Sequence, residues 1–245
     1  MPNASTQAFV LGTSSFSEQD KLVHLLTKAR GILKAVAPGA LKNRNRFGSL
    51  LELFTEGEFQ YYWKEDKEMI TLSKGDIVKS NFNTVSDPQN IFYFYLVSEI
   101  LSRFVPYNHK DKRIYRLVRA LLENRVQGIK MDLLLLYFLI WILRIEGMMF
   151  NPAICHNCLD RNIQQAWMRT DFRGIICQKC KTNEDLMFTG NDLQFIKWTE
   201  KNGPRDLGVW EDKIDRAKLI RIFKVKIEYH GELSLKCPQY LSEFQ

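Results

Sequence analysis

Four of the chain's five cysteines fall in two C-x-x-C pairs, Cys155 with Cys158 and Cys177 with Cys180, separated by eighteen residues. No other feature constrains the fold as much. Each C-x-x-C turn aims two sulfurs to one side, and two such knuckles bring four thiolates into a tetrahedron with metal–sulfur bonds of about 2.3 Å. Zn2+ is the expected ion, in a structural role, because four protein ligands leave no position open for water or substrate. The four thiolates leave a net charge of about −2 on such a site. Arg161, Arg173, Lys179 and Lys181 lie near enough in sequence to offset it. His156, inside the first knuckle, is expected to face solvent rather than ligate. Cys237 is left over, and the pattern as a whole fits metal binding in a reducing compartment better than a disulfide framework.

A chain of 245 residues suffices for two modest domains, and 45% hydrophobic with 26% charged residues describes an ordinary folded protein. The formal net charge of +7 favours polyanionic partners. The longest apolar run, Leu133 to Leu143, is eleven residues closed by Asp132 and Arg144. A bilayer span takes about 20, so the run reads as a buried core helix. The first twenty residues lack the basic start and long apolar middle of a secretory signal, and a cytoplasmic location is expected.

Up to Ile77, short segments rich in β-branched and aromatic residues alternate with turn formers. They read "AFVLGTSSF", "KLVHLLT", "GILKAVA", "SLLELFTEGEFQYYW" and "EMITLSKGDI". About five strands in so short a stretch predict a small closed barrel of the five-stranded OB type. Beyond "SNFNTVSDPQN" the period becomes helical. Asp87 and Pro88 read as N-cap and first helical residue before "IFYFYLVSEILSRF". "KDKRIYRLVRALLENR" follows with Ile114, Leu117, Val118, Leu121 and Leu122 on one stripe, and "MDLLLLYFLIWILRIEG" is stopped by Gly147. Two more helices are expected after the cysteines, at "NDLQFIKWTE" and from about Asp212. The predicted class is α+β: an N-terminal barrel domain over residues 1–80, then an α-helical domain over 81–245 that carries a four-cysteine zinc segment at 150–185.

Residues 21 to 51 contain seven Lys or Arg and no Asp or Glu. A charge run alone is as readily a solvated face. This one, however, spans the second and third predicted strands and the following loop, the surface on which OB barrels bind oligonucleotides. Lys28, Arg30, Lys34, Lys42, Arg44 and Arg46 are the candidate DNA contacts, the last three in the Gly-flanked loop "PGALKNRNRFG". Phe47 is read as core ahead of base stacking. The basic stretches Lys112–Arg119 and Lys213–Lys226 are either the wet faces of helices or an extension of a DNA track. No phosphate-binding, dinucleotide or nucleophile-elbow motif occurs, and the four histidines are scattered, so no enzymatic activity is expected.

The order of parts resembles the RecO family of bacterial recombination mediators. The resemblance lies in "AFVLGTSSFSEQDKLVHLLTKARGILKAVAPGALKNRNRFGSLLELF", with its "SE" turn at Ser17 and Glu18, and in "MMFNPAICHNC", "GIICQKC" and "YHGELSLKCPQYL". The family loop reads close to G-A-R-R or G-x-R-x, whereas here Gly39 is followed by Ala40 and Leu41, with Lys42, Arg44 and Arg46 arriving later. The resemblance implies a protein that binds single- and double-stranded DNA and anneals complementary strands, including strands coated by single-stranded DNA-binding protein. It also implies action with RecR to load RecA, and contact with the acidic C-terminal tail of single-stranded DNA-binding protein. The alternative left by the residues is a zinc-stabilised protein-interaction adaptor without strand-annealing activity.

Overall fold

A computed structural model describes residues 3–43, 46–63, 68–183 and 186–236, so Arg44 and Cys237 lie outside the described residues. The described residues up to Arg116, with Leu235 and Lys236, form one compact unit, and Leu117–Ser234 form the other.

The first unit is built on a closed barrel of strand order β1-β2-β3-β5-β4, the OB-type barrel expected from the sequence. β1 (Asn3–Ser15) is long enough to serve two neighbours. Asn3–Phe9 pairs antiparallel with β4 (Glu56–Tyr62), and Ala8–Ser15 with β2 (Lys21–Thr27), the register slipping between Val10 and Gly12. β3 (Gly31–Ala37) returns against β2 through a turn in which the Thr27 hydroxyl donates to the Gly31 carbonyl (2.8 Å) and accepts from the Arg30 N–H (3.0 Å). β5 (Met69–Lys79) runs antiparallel to β4 and closes the barrel by a short parallel ladder to β3, Lys34 to Met69, Ala35 to Ile70 and Val36 to Thr71. Alternation along the strands points Val23, Leu25, Leu33, Ala35, Phe59, Tyr61, Ile70 and Leu72 inward as one buried cluster.

One expected strand divides. "SLLELFTEGEFQYYW" forms a 3-10 turn at Gly48–Leu51, a reversal at Phe54 (φ 56°), and only then β4. Its Leu50 and Leu51 are consecutive in sequence and both buried in the barrel core, which a strand, sending neighbours to opposite faces, does not allow. Leu50 fits because Gly57 and Gly75 leave room: a Cβ on either would lie 2.5 and 2.7 Å from its methyl groups.

After a single turn, α1 (Phe82–Val85), comes α2 (Ile91–Phe104). It starts later than Asp87-Pro88 suggests. The Asp87 carboxylate accepts from the Gln89 N–H (2.8 Å) and its carbonyl from Asn90 and Ile91 (2.8 and 3.0 Å), which makes a local turn, and Asn90 takes the N-cap position. α2 covers the outside of β1, where the Ser98 hydroxyl donates to the Leu11 carbonyl and Phe94 packs on Phe54 at 5.4 Å. Tyr115, in the first turn of α3 (Lys112–Val126), donates to the buried Glu56 carboxylate at 2.6 Å, its ring 4.8 Å from Phe9.

In the second unit the stripe Leu117, Val118, Leu121 and Leu122 of α3 is buried as its spacing predicts. α4 (Met131–Ile145) is apolar on all sides, and Leu133 to Ile140 are all buried, so it is the core helix expected. Its ends are tied by polar contacts: Arg216 to Asp132 at 2.6 Å, and Arg144 to the Ile196 carbonyl (2.6 Å) and the Thr199 hydroxyl (2.8 Å). α5 (Gly190–Trp198) starts at a reciprocal cap between Thr189 and Asp192. α6 starts at Arg216 rather than near Asp212, because Asp215 is the side chain that caps it, accepting from the Lys218 N–H at 2.9 Å; it runs to Gly231. Among the described residues no helix is long and apolar enough to cross a membrane.

Gly31 opens β3 with φ +69°, and a Cβ there would lie 2.0 Å from the His109 carbonyl oxygen. Gly31→Ala is therefore expected to lower unfolding free energy by about 2 kcal/mol or more in chemical denaturation. Gly12→Ala, with nothing within 4 Å of its new methyl, is expected to stay within about 0.5 kcal/mol of wild type.

Candidate functional site

The basic run occupies β2, β3 and their two flanking loops. Lys28 and Arg30 sit in the β2–β3 turn, Lys34 in the middle of β3, and Lys42 and Arg46 in the loop after it. Six residue steps at about 3.3 Å make β3 roughly 20 Å long, so the turn and the loop cations stand at opposite ends of a stripe with Lys34 between them. None of these five side chains forms an ion pair among the described residues.

Aromatic rings organise three of the cations instead, Arg46 by the neighbouring Phe47 and two by rings from elsewhere. The Arg30 guanidinium lies 4.7 Å from the centroid of the Trp63 ring, and the Lys34 ammonium 4.4 Å from that of Tyr107. Such contacts contribute about 0.5–1 kcal/mol at exposed sites. His24 is the register partner of Lys34, and its Nδ1 lies 3.1 Å from the Tyr107 hydroxyl. Trp63, Tyr107 and His24 were not among the candidates from sequence. Tyr107 reaches β3 through a bridge to Ile32, a contact across 75 positions that no local pattern encodes. Trp63 carried a signal, as an aromatic just beyond a strand end, that was read only as part of the strand.

The loop after β3 is held rather than free. The Ser17 hydroxyl accepts from the N–H groups of Gln19 and Asp20, forming the β1–β2 turn. Asp20 then accepts from the Gly39 N–H at 2.8 Å, and the Gln19 carbonyl from Leu41 at 2.9 Å. Phe47 points into the barrel core with Arg46 over its ring at 5.5 Å, so the core reading of Phe47 holds. The outer face of β2 and β3 is only partly open, since Leu26 and Ile32 are fully buried while His24, Lys34 and Val36 remain half-buried.

The four cysteines of the second unit converge, and their sulfurs all lie within 4.8 Å of one another. A tetrahedron with bonds of about 2.3 Å has edges of about 3.8 Å. Cys158 and Cys177 are already 3.7 Å apart. The second knuckle continues β7 (Ile175–Cys177), which pairs with β6 (Ala166–Met168), itself paired with β8 (Met187–Phe188). The Cys177 N–H donates to the Cys155 sulfur at 3.3 Å. Burial opposes ionisation of Cys155, but backbone N–H groups of Cys158, Cys177 and Asn157 outweigh it and bring the thiol down to about 6. The hydrogen bond to Cys158 and crowding by the other sulfurs push Cys180 up to about 12. Four sulfurs this close ionise together only around a cation, so the set is close enough to bind a metal ion and chemically suited to one. His156 is exposed, lies against Gly174 and takes no place in the cluster.

An OB-type barrel with a basic outer stripe, joined to a helical segment with a four-cysteine metal-type cluster, defines a modular protein of the nucleic-acid-handling kind. Family models described as recombination protein O N terminal and C terminal match residues 1–81 and 85–235, and the chain belongs to the RecO family of recombination and DNA repair proteins. It is 30% identical over 176 residues to a protein named DNA repair protein RecO from Koribacter versatilis, covering 72% of each chain. A protein of the same name from Mesoplasma florum is 22% identical over 205 residues, 82% of this chain and 74% of that one. Another from Listeria monocytogenes is 27% identical over 177 residues, 71% of this chain and 67% of that one.

Burial and the facing Lys34 ammonium both disfavour the charged imidazole of His24 and lower its pKa from the ordinary 6.5. NMR titration is expected to place His24 below that value and to move it upward in Lys34→Ala. At neutral pH the positive charge of the face then comes from Lys and Arg alone, and His24 adds a charge only on acidification. A pKa at or above 6.5 in the folded protein contradicts this picture of the face.

Proposed function

We propose that this protein is a non-enzymatic recombination mediator of the bacterial cytoplasm and nucleoid, organised as a DNA-binding domain (1–80) and a helical domain (81–245). It binds single- and double-stranded DNA on the basic stripe of its barrel and anneals complementary strands. With RecR it helps load RecA onto DNA coated by single-stranded DNA-binding protein, whose acidic C-terminal tail it contacts. The observation that carries this reading is a row of cations on and beside β3, none ion-paired among the described residues and two of them seated on the Trp63 and Tyr107 rings, in a member of the RecO family. Lys28, Arg30, Lys34, Lys42, Arg44 and Arg46 take phosphates, and Trp63 and Tyr107 offer rings on which unpaired bases stack. Annealing needs no nucleotide hydrolysis, since base pairing supplies the free energy and the protein has only to screen phosphates and concentrate strands.

Cys155, Cys158, Cys177 and Cys180 hold a single Zn2+ in a closed site, where the ion acts as a covalent-like staple for the knuckles. Cys155→Ala or Cys180→Ala is expected to lower the thermal midpoint by several degrees and to release zinc. The affinity of the remaining folded protein for a single strand should stay within about threefold. A variant that keeps its stability and loses DNA binding would show the site to be part of the interface.

A second reading, the protein-interaction adaptor, draws on the exposed apolar side chains Ile77, Val78 and Phe82, which are 45, 52 and 50% exposed at and beyond the end of β5. Annealing of complementary labelled oligonucleotides without ATP separates the two. The mediator reading expects acceleration on bare and on coated strands. It also expects the plot of log affinity against log salt to flatten by about 1.4 in Lys42→Ala/Arg46→Ala, at about 0.7 for each lost single-strand phosphate contact. No acceleration by folded, zinc-loaded protein leaves the adaptor.

A further inference from the structure

The second unit contains an open groove of about 1030 Å3 between the cysteine knuckles and α5. Its lining is not that of an apolar peptide cleft. Four glutamines face it, Gln164, Gln165, Gln178 and Gln194, all exposed. Three exposed cations stand around it, Arg161, Lys179 and Lys197, and none forms an ion pair among the described residues. The carboxylate in the lining is Asp160, and one of its oxygens is already engaged by the Asn162 N–H at 2.9 Å. Three cations thus stand against one carboxylate, with the Cys177 sulfur of the four-cysteine cluster also in the lining.

A carboxamide both donates and accepts, as the edges of nucleobases do, and a free cation on the rim matches a phosphate. A paired duplex keeps its Watson–Crick edges occupied, so amides inside a concave site reach those edges only on an unpaired strand. The groove is open rather than enclosed and so can admit a polymer, whereas small-molecule pockets enclose most of their ligand. We infer that this groove is a second nucleic-acid site, specific for single strands, in which the glutamines contact base edges and Arg161, Lys179 and Lys197 contact phosphates. The inference rests on the proposed reading of the barrel as the first strand site. With one strand on each, annealing becomes an encounter between two strands on one molecule at raised effective concentration.

The test uses the full, zinc-loaded chain and oligothymidines of about ten nucleotides, short enough that one strand fills one site. Anisotropy titration is expected to show two strands bound per chain. Gln194→Glu/Lys197→Glu, both exposed on α5 and outside the four-cysteine set, should abolish one binding event and leave the other unchanged. It should also slow annealing about tenfold. Lys179→Ala should weaken the same event. Lys28→Ala/Arg30→Ala/Lys34→Ala should remove the other event and spare the groove. One strand per chain in the wild type, or two strands still bound by the α5 variant, overturns the inference while leaving the barrel reading intact. If the barrel variant loses nothing, the barrel reading fails instead. Binding of an acidic peptide, lost in the α5 variant while oligothymidine binding is kept, makes the groove a protein site and overturns the inference.

Discussion

Barrel closure rests on three residue pairs between parallel strands, Lys34 to Met69, Ala35 to Ile70 and Val36 to Thr71. Every other ladder in the barrel is antiparallel and more than twice as long. Strand β3 thereby becomes an interior strand, hydrogen-bonded on both sides, and its outward residues are fixed in direction by the alternation that sends Leu33, Ala35 and Ala37 inward. Lys34 owes its position to that closure, and the loops carrying Lys28, Arg30, Lys42 and Arg46 start from its two ends. Cations set on and beside a doubly paired strand, with one loop pinned by Asp20 and the other turn tied by Thr27, are held more precisely than a free basic loop would hold them.

The cysteine module has the opposite problem. Its core consists of Cys155, Trp167, Ile176 and Cys177, edged by Ile163, Cys180 and Met187, so cysteines are half of the fully buried set. So small an apolar cluster cannot offset the ordering of some thirty residues, and modules of this kind rely on a metal. Further support comes from α6. Lys226 is buried and donates to the Phe172 carbonyl, while the Phe172 ring packs on Tyr229 at 4.9 Å. Desolvation brings Lys226 down to about 8, with Asp171 opposing the shift, so at neutral pH it still presents a charged donor to that carbonyl.

Much of this was legible in the sequence, because the deciding signals were local. Cysteine spacing, the apolar run of α4, the stop at Gly147 and the count of short strands each depend on a few adjacent residues. What was missed depended on distant ones. "SLLELF" read as strand because β propensity ignores where a barrel needs plugging, and Gly57 and Gly75, which make room for Leu50, lie 7 and 25 positions downstream. Asp87 was a sound cap residue in the wrong place, its carboxylate engaged in a local turn ahead of Asn90, and the start expected near Asp212 gave way to Asp215, whose side chain caps α6. His24, Trp63 and Tyr107 were invisible as a group, since only the folded barrel brings them to the basic stripe.

The acid-free run raises an energetic question that the rings answer. A surface cation is usually organised by a carboxylate, but a carboxylate cancels the charge it organises. An aromatic face attracts the cation through its quadrupole and leaves the net charge untouched. Arg30 on Trp63 and Lys34 on Tyr107 are therefore oriented without being neutralised. Neither cation is held by an ion pair among the described residues. His24 fits the same logic: kept neutral by burial and by Lys34, it fixes the Tyr107 hydroxyl without crowding a further positive charge onto the face. The absence of acids and the presence of rings are thus two halves of one device, which holds cations in place and leaves their charge available.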